Sequence, residues 1–199
     1  MTDISKEKQT KTSYFSARRL AELALFIAIM LVLDKTSLGY IPIGPISVTT
    51  MHIPVIVGAI YGGWRYGIIL GLAFGLSSFL KAMQGGSGVL SFIFMNPAIS
   101  ILPRLMMGLL TGLVAEKLKD KNKIVAYGIP GALGSLFNTI FVMGSMYLIY
   151  LEAYAETLNI TISQAAAGML SVCVVNGGPE AIFAGFVAVP ILAALKRKH

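Results

Sequence analysis

The amino-acid sequence predicts an all-α integral membrane protein with six transmembrane helices and both termini in the cytosol. The 199-residue chain is 56% hydrophobic and only 13% charged, which is too apolar for a water-soluble domain with an ordinary polar surface. Its net charge of +7 lies in short basic clusters between long uncharged stretches. That distribution is typical of a polytopic membrane protein and argues against a nucleic-acid-binding one.

Six apolar segments supply the predicted helices, because a helix needs about 20 apolar residues to cross a bilayer. The second segment is short and contains Pro54. The last two exceed the thickness of a bilayer, so we expect them to tilt or to extend beyond it. The segments lie approximately at residues 17–34, 49–62, 65–82, 96–116, 125–151 and 163–195.

The positions of lysine and arginine predict the orientation. With six spans both termini lie on one side, and nearly all of the 16 Lys and Arg residues fall there. Only Lys35 and Lys81 fall on the other side, and Arg104 lies within the membrane. The positive-inside rule therefore places the termini in the cytosol, as a polar tail at residues 1–16 and a basic end at residues 196–199. The tail lacks the apolar core of a signal peptide.

The predicted outer loops are longer than the inner ones and combine glycine and proline with apolar residues. Loops of this composition act either as lids over a binding site or as ordinary connectors, and both interpretations remain open. The outer loops span approximately residues 35–48, 83–95 and 152–162.

Arg104 interrupts the fourth apolar segment and is the first indication of a functional site. A charged side chain in hydrocarbon costs at least ~2.5 kcal/mol, so we expect Arg104 to face protein, water or a ligand. Pro103 beside it has no backbone N–H, which frees the carbonyl of Ile99. A cation beside a loosened helix suggests a polar cavity. The alternative is an arginine that pairs with a buried carboxylate, such as Glu180, for structural reasons.

The fifth and sixth segments add polar groups at membrane depth. Asn138 lies in the fifth, and the run NGGPE at 176–180 interrupts the sixth. Because hydrocarbon disfavours unpaired amides, we expect a polar cavity in the outer half of the bundle. The fourth, fifth and sixth spans should wall it, and the first and third outer loops should cap it. The candidate binding residues are Arg104, Asn138, Asn176, Asn96, Glu180, His52, Tyr147 and Lys81.

His52, near the outer end of the second segment, is either a hydrogen-bonded structural residue or a ligand contact. No set of Cys, His or acidic residues has the spacing of a metal site, and the single cysteine, Cys173, is read as a small buried apolar residue. Nucleotide-binding loops and nucleophile motifs are also missing. We therefore expect a protein that is not an enzyme and that has no metal, cofactor or catalytic residue.

A stripe of alanines marks one face of the first predicted helix. Ala17, Ala21, Ala24 and Ala28 are spaced by helical repeats, so their side chains lie on the same side. Small residues allow another helix to approach closely within a membrane. The partner is either another span of this chain or a separate subunit.

The chain resembles the substrate-binding S component of energy-coupling-factor (ECF) vitamin transporters. The resemblance covers residues 17–195 and depends on the order and topology of its segments. Within that family the sequence is most similar to the pantothenate-type members. The segments are the alanine-bearing first helix followed by VTTMHIPVIVGAIYG, FGLSSF, NPAISILPRLMMGL, GSLFNTIFVMG and NGGPEAI.

This resemblance implies a six-helix substrate-binding domain that captures a vitamin from outside the cell membrane. Its implied partners are a transmembrane T component and two ATPase subunits, which would hydrolyse the ATP. The alanine face would dock on the T component, with the family motif at Ala24 and Ala28. Residues 35–48 would gate the pocket, and the chain would topple in the membrane to deliver the ligand.

Pantothenate is the first candidate for the ligand. Arg104 is expected to bind its carboxylate bidentately, and Asn138 and Asn176 its hydroxyls or amide. Folate, riboflavin and pyridoxine-type ligands are alternatives. A stand-alone secondary transporter is a further alternative, although such proteins usually show repeats or paired broken helices, which we do not find in this sequence.

Overall fold

The computed structural model describes residues 16–36, 39–43, 46–85 and 91–195. The predicted tails, residues 1–15 and 196–199, lie outside this range. Apart from one short hairpin, the described elements are helices. They are α1 (Ala17–Lys35), β1 (Tyr40–Ile43), β2 (Ile46–Thr49), α2 (Ile53–Gly62), α3 (Trp64–Met83), α4 (Ser91–Phe94), α5 (Pro97–Ser100), α6 (Leu102–Leu118), a π-helix (Ile124–Gly128), α7 (Ile129–Leu158), α8 (Ile162–Val175) and α9 (Gly177–Leu195).

Within the described residues, 4 helical segments are long and apolar enough to cross a membrane. They correspond to the predicted third to sixth spans. The predicted first and second spans are also helices, but α2 has only 10 residues and α1 carries charged residues near both ends. The four segments are Trp64–Met83, Pro97–Leu118, Ile124–Leu158 and Ile162–Leu195.

The short helix α2 is the centre of the bundle. It contacts α1, α3, α6, α7 and α9, and every residue from 54 to 60 is buried. A helix that is apolar on all sides is stable only when protein surrounds it. The lack of polar residues in α2 is therefore explained by its central position.

Glycines bring α3 and α6 into backbone contact along their length. A Cβ atom added to Gly67 would overlap the carbonyl oxygen of Gly108, and one added to Gly108 would overlap that of Gly67. Further toward the C-terminal end of α3, a Cβ at Gly71 would overlap the carbonyl oxygen of Arg104, and one at Gly75 would lie 2.6 Å from Cα of Ile101. This close approach fixes the backbone that carries Arg104.

Two of the predicted spans are broken where the sequence contains proline. The fourth is divided into α5 and α6 at Ile101, just before Pro103, and the sixth into α8 and α9 at Asn176, before Pro179. Proline cannot donate a backbone hydrogen bond, so the helix is interrupted in the turn that precedes it. Both breaks place polar groups inside the bundle.

The helix ends are set by ordinary capping. Ser16 caps α1 by accepting from the backbone N–H of Arg19. Thr161 and Gln164 form a capping box at the start of α8, with Gln164 N–H donating to Thr161 Oγ1 at 3.2 Å. Asn159 ends α7 in the left-handed conformation, with φ of 53°.

The segment predicted as the first outer loop contains a hairpin, which was not expected from the sequence. Strands β1 and β2 are antiparallel, and β2 reaches α9. The hairpin therefore links the end of α1 to the region of α9. Residues 37–38 and 44–45 of the predicted gate lie outside the described residues.

α1 lies at the edge of the bundle and buries only Leu23 and Met30. Its four stripe alanines are all exposed, so the described part of the chain does not cover that face. Near the inner end, the Glu22 carboxylate accepts hydrogen bonds from the hydroxyls of Tyr61 at 3.2 Å and Tyr66 at 3.0 Å. α1 is thus held on its inner side by polar contacts and leaves its alanine face open.

Candidate functional site

A cavity of about 400 Å³ opens within the bundle at the level of the two helix breaks. It combines charged, amide and hydroxyl groups with apolar side chains. Its lining residues are Met30, Asp34, Met51, His52, Phe74, Ser77, Ser78, Lys81, Phe94, Arg104, Asn138, Thr139, Val142, Met143, Val172, Asn176 and Glu180.

The cavity brings most of the candidate binding residues together. They come from separate parts of the sequence and are Arg104, Asn138, Asn176, Glu180, His52 and Lys81.

Asn96 and Tyr147 lie elsewhere. Asn96 caps α5 by accepting from the backbone N–H of Ala98 at 2.9 Å and also donates to the hydroxyl of Tyr150 at 3.2 Å. Tyr147 is 49% exposed on the outside of α7. Both residues are polar, but their surroundings are a helix cap and the bundle surface.

The wall of the cavity is wider than the three spans that the sequence analysis named. Asp34 enters from α1 and Lys81 from α3, while His52 precedes the central helix α2. The cap is also different. Phe94, from the predicted second outer loop, lines the cavity, whereas no described residue of the third outer loop does. The predicted wall was incomplete because the spans were chosen by the polar residues within them. Polar residues at the ends of the other spans were not considered.

Arg104 is 7% exposed and lies between two aromatic rings. Its guanidinium carbon is 5.6 Å from the ring centre of Phe74 and 5.5 Å from that of Phe94. One of its N–H groups donates to the backbone carbonyl of Ile99, the carbonyl that Pro103 frees from the helix. The rings and this carbonyl orient a planar donor toward the cavity.

His52 and Asn138 bring buried polar atoms to the same space. His52 is 1% exposed, and neither of its ring nitrogens has a hydrogen-bond partner among the described residues. The amide oxygen of Asn138 is in the same situation. Buried polar atoms are normally hydrogen-bonded. A molecule in the cavity that forms hydrogen bonds with these atoms would offset the free-energy cost of burying them.

Two hydroxyl groups on α7 have their protons bonded within the helix, so they are not free donors to a ligand. Thr139 Oγ1 donates to the carbonyl of Ser135 at 3.3 Å, and Ser145 donates to that of Phe141 at 2.7 Å. Such bonds to the preceding turn satisfy the hydroxyl proton within the helix. The lone pairs of Thr139, which lines the cavity, remain available as acceptors.

The sequence analysis missed Asp34. Its carboxylate accepts from Lys81 Nζ at 2.8 Å, and Ser77 Oγ lies 3.5 Å from its other oxygen. Asp34 is the last residue of the predicted first span and was not among the candidate binding residues. Lys35 and Lys81 are the only cations on the predicted outer side, so Asp34, which precedes Lys35 in the sequence, was a candidate partner for Lys81 as well.

Together these groups define a class of protein: a helical membrane protein whose bundle contains a cavity of small-metabolite size, lined by both polar and apolar groups. Pockets for small molecules range from roughly 300 to 1,000 Å³, and this one is near the lower limit. Both signs of charge, amides and apolar side chains line it, so it suits a compact molecule that is partly polar and partly apolar.

Comparison with known proteins places the chain within one family of this class. Residues 18–192 match the sequence model described as "ECF transporter, substrate-specific component". The chain therefore belongs to the substrate-specific components of ECF transporters.

Two relatives have been named for what they transport. The chain is 31% identical over 197 residues to the "Pantothenic acid transporter PanT" of Lactococcus lactis subsp. cremoris. The aligned region covers 91% of this chain and 95% of the relative. It is 33% identical over 114 residues to the "Pantothenate transporter PanT" of Leuconostoc mesenteroides subsp. mesenteroides, covering 53% of this chain and 56% of that relative.

Proposed function

We propose that this chain is the pantothenate-binding subunit of an ECF-type importer in the cell membrane. The observation that carries the proposal is the cavity that Arg104 lines together with His52 and Asn138, whose buried polar atoms have no hydrogen-bond partner among the described residues. The two relatives named as pantothenate transporters support the choice of ligand.

The chemistry of pantothenate suits the groups in this cavity. Its carboxylate is expected to bind Arg104, whose guanidinium can donate two parallel hydrogen bonds. Its hydroxyls and amide have partners in His52, Asn138 and Asn176. Its two methyl groups can contact apolar side chains such as Val142. A single ligand of this kind satisfies the charged, polar and apolar parts of the wall together.

A binding screen tests the ligand directly. Purified protein is incubated with a panel of pantothenate, folate, riboflavin and pyridoxine, and the retained compound is identified by mass spectrometry. We expect pantothenate to be retained and the larger folate and riboflavin to be excluded by a cavity of about 400 Å³. Retention of another vitamin in place of pantothenate would contradict the proposed ligand and leave the family unchanged.

The proposed topology is six spans with both termini in the cytosol. α1 and α2 complete the set with the four long apolar segments, and α2 can be short because it is surrounded by protein. Charged residues near the two ends of α1 lie where the helix would reach the membrane surfaces. Single cysteines at residues 6 and 197, introduced into a Cys173→Ala variant, test this orientation: an impermeant reagent should not label them in intact cells and should label them after the cells are opened.

The proposed partners are a T component and two ATPase subunits, with the whole chain toppling in the membrane to release its ligand inside. The support is the exposed alanine face of α1, which the described part of the chain leaves uncovered. A smooth helix face permits close contact with a second transmembrane protein and allows sliding against it. ATP hydrolysis then occurs in the partners, and this chain supplies the binding site.

We expect Ala24→Phe to abolish co-purification with the T component and the ATPase subunits in mild detergent, because a bulky ring prevents the close helix approach. Pantothenate binding by the isolated variant should be unchanged, since Ala24 is exposed and away from the cavity. Ala167→Phe, at an exposed alanine of α8, is the matched control. Loss of the complex in both variants, or in neither, would show that the α1 face is not the docking surface.

A stand-alone secondary transporter is the competing function. It would transport pantothenate in proteoliposomes that contain this chain alone, driven by an ion gradient. We expect no uptake under those conditions, and uptake only when the ATPase subunits, the T component and ATP are present.

A further inference from the structure

Asp34 and Lys81 form an ion pair in the wall of the cavity, between the outer ends of α1 and α3. Lys81 Nζ lies 2.8 Å from Asp34 Oδ1, and the side chains are 25% and 7% exposed, respectively. Both residues line the cavity. The ammonium group of Lys81 is therefore accessible from the space in which Arg104 also lies.

We propose that Asp34 competes with the carboxylate of the ligand for Lys81 and thereby limits how strongly the cavity prefers an anionic ligand. In the structure Asp34 binds Lys81. When an anionic ligand enters, Lys81 exchanges this partner for the ligand carboxylate. The inference rests on the proposed function, because the exchange requires a ligand with a carboxylate in this cavity.

The surroundings of Asp34 allow the exchange. Losing one partner of a buried ion pair is strongly unfavourable when the remaining charge has no other contact. Here Ser77 Oγ lies 3.5 Å and Lys35 Nζ 3.8 Å from Asp34 Oδ2. The Lys35 side chain is 69% exposed and free to adjust. These two groups remain next to the Asp34 carboxylate while Lys81 leaves it.

Lys81 and Arg104 can serve the same ligand group. A carboxylate has two oxygens and about four acceptor positions, so a bidentate arginine leaves room for an ammonium donor. A neutral ligand has no charged acceptor that could replace Asp34 as the partner of Lys81, so the ion pair between Asp34 and Lys81 then persists. Lys81 therefore favours an anion independently of Arg104, and Asp34 reduces the size of that preference.

A double-mutant cycle tests the competition. Affinities for pantothenate and for pantothenol, its neutral alcohol analogue, are measured by isothermal titration calorimetry for the wild type, Asp34→Asn, Lys81→Met and the double variant. Asp34→Asn should tighten pantothenate binding roughly tenfold, equivalent to about 1.4 kcal/mol, and should leave pantothenol binding unchanged. Lys81→Met should weaken pantothenate binding, and adding Asp34→Asn to it should then have no effect.

The cycle separates competition from a general electrostatic effect. If Asp34→Asn tightens pantothenate binding equally with and without Lys81, the carboxylate acts only through its field, and the proposal is overturned. Unchanged or weaker binding by Asp34→Asn also overturns it, because Asp34 would then orient Lys81 or the ligand. Glu156→Gln, at an exposed acid near the outer end of α7, is the control and should change neither affinity.

A measurement on the wild type covers the case in which a variant does not fold. Hydrogen exchange of residues 31–35, the last turn of α1, should be faster with saturating pantothenate than with saturating pantothenol, because only the anion releases Asp34. Equal or slower exchange with pantothenate would overturn the proposal.

The outcomes also distinguish this inference from the proposed function. A wild type that binds pantothenate but shows no Asp34 effect contradicts the competition alone. A wild type that retains a different carboxylate-bearing vitamin contradicts the pantothenate assignment, and the same cycle with that vitamin then decides the competition. A wild type that binds no carboxylate-bearing vitamin contradicts both.

Discussion

Arg104→Lys is expected to weaken pantothenate binding by roughly 30-fold, or about 2 kcal/mol, and to change pantothenol binding much less. The substitution retains the positive charge, so a loss of affinity would come from the changed geometry of the hydrogen-bond donors. Lysine has no planar pair of donors for a carboxylate and stacks less well between the rings of Phe74 and Phe94. Isothermal titration calorimetry of both ligands with the purified variant measures the difference.

The comparison between ligands decides the role of Arg104. Equal losses for pantothenate and pantothenol would mean that Arg104 only supports the bundle, through its bond to the carbonyl of Ile99. Arg65→Lys is the matched control, because it makes the same chemical change in α3 at a residue that does not line the cavity. It should leave both affinities unchanged.

The position of the cavity could be predicted because two of its features can be recognised from short stretches of sequence. An arginine in an apolar run must find polar surroundings, and Pro103 beside it leaves a carbonyl free four residues earlier. The structure joins these features, since Arg104 donates to Ile99. The break at Asn176 could be predicted in the same way from the glycines and Pro179 that follow it.

The remaining features of the site depend on which helices are neighbours, and no local pattern encodes that. Asp34 and Lys81 are 47 positions apart, and each reads as an ordinary charged residue near a span end. Only the packing of α1 against α3 brings them together. Asn96 illustrates a different case: it was predicted as a binding residue, and in the structure it caps α5.

The structure divides the bundle into parts with different kinds of contact. α3 and α6 touch through their backbones, while α1 packs through Leu23 and Met30 and is also held by the polar contacts of Glu22 and Asp34. Backbone contact between glycines is rigid because it has no side chain that can adjust, whereas an ion pair can exchange partners. The arrangement therefore combines a fixed wall behind Arg104 with an outer helix whose contacts can respond to a ligand.

Gly67→Ala should destabilise the protein by about 3 kcal/mol, because the new methyl group would occupy the position of the Gly108 carbonyl oxygen. Neither backbone can move away without separating α3 from α6. For a chain of this size the change corresponds to a fall in the thermal unfolding midpoint of roughly 6–12 °C. Thermal unfolding of the purified protein in one detergent measures it.

Gly168→Ala provides the matched control for that loss. Gly168 also lies within an apolar helix, α8, but nothing lies within 4 Å of the position that its Cβ would take. Because alanine favours a helix over glycine by about 1 kcal/mol, this variant should be unchanged or slightly more stable. A similar midpoint for both variants would mean that α3 and α6 can separate at little cost. The rigid wall inferred behind Arg104 would then not exist, and the geometry of the cavity would have to be maintained by its side chains alone.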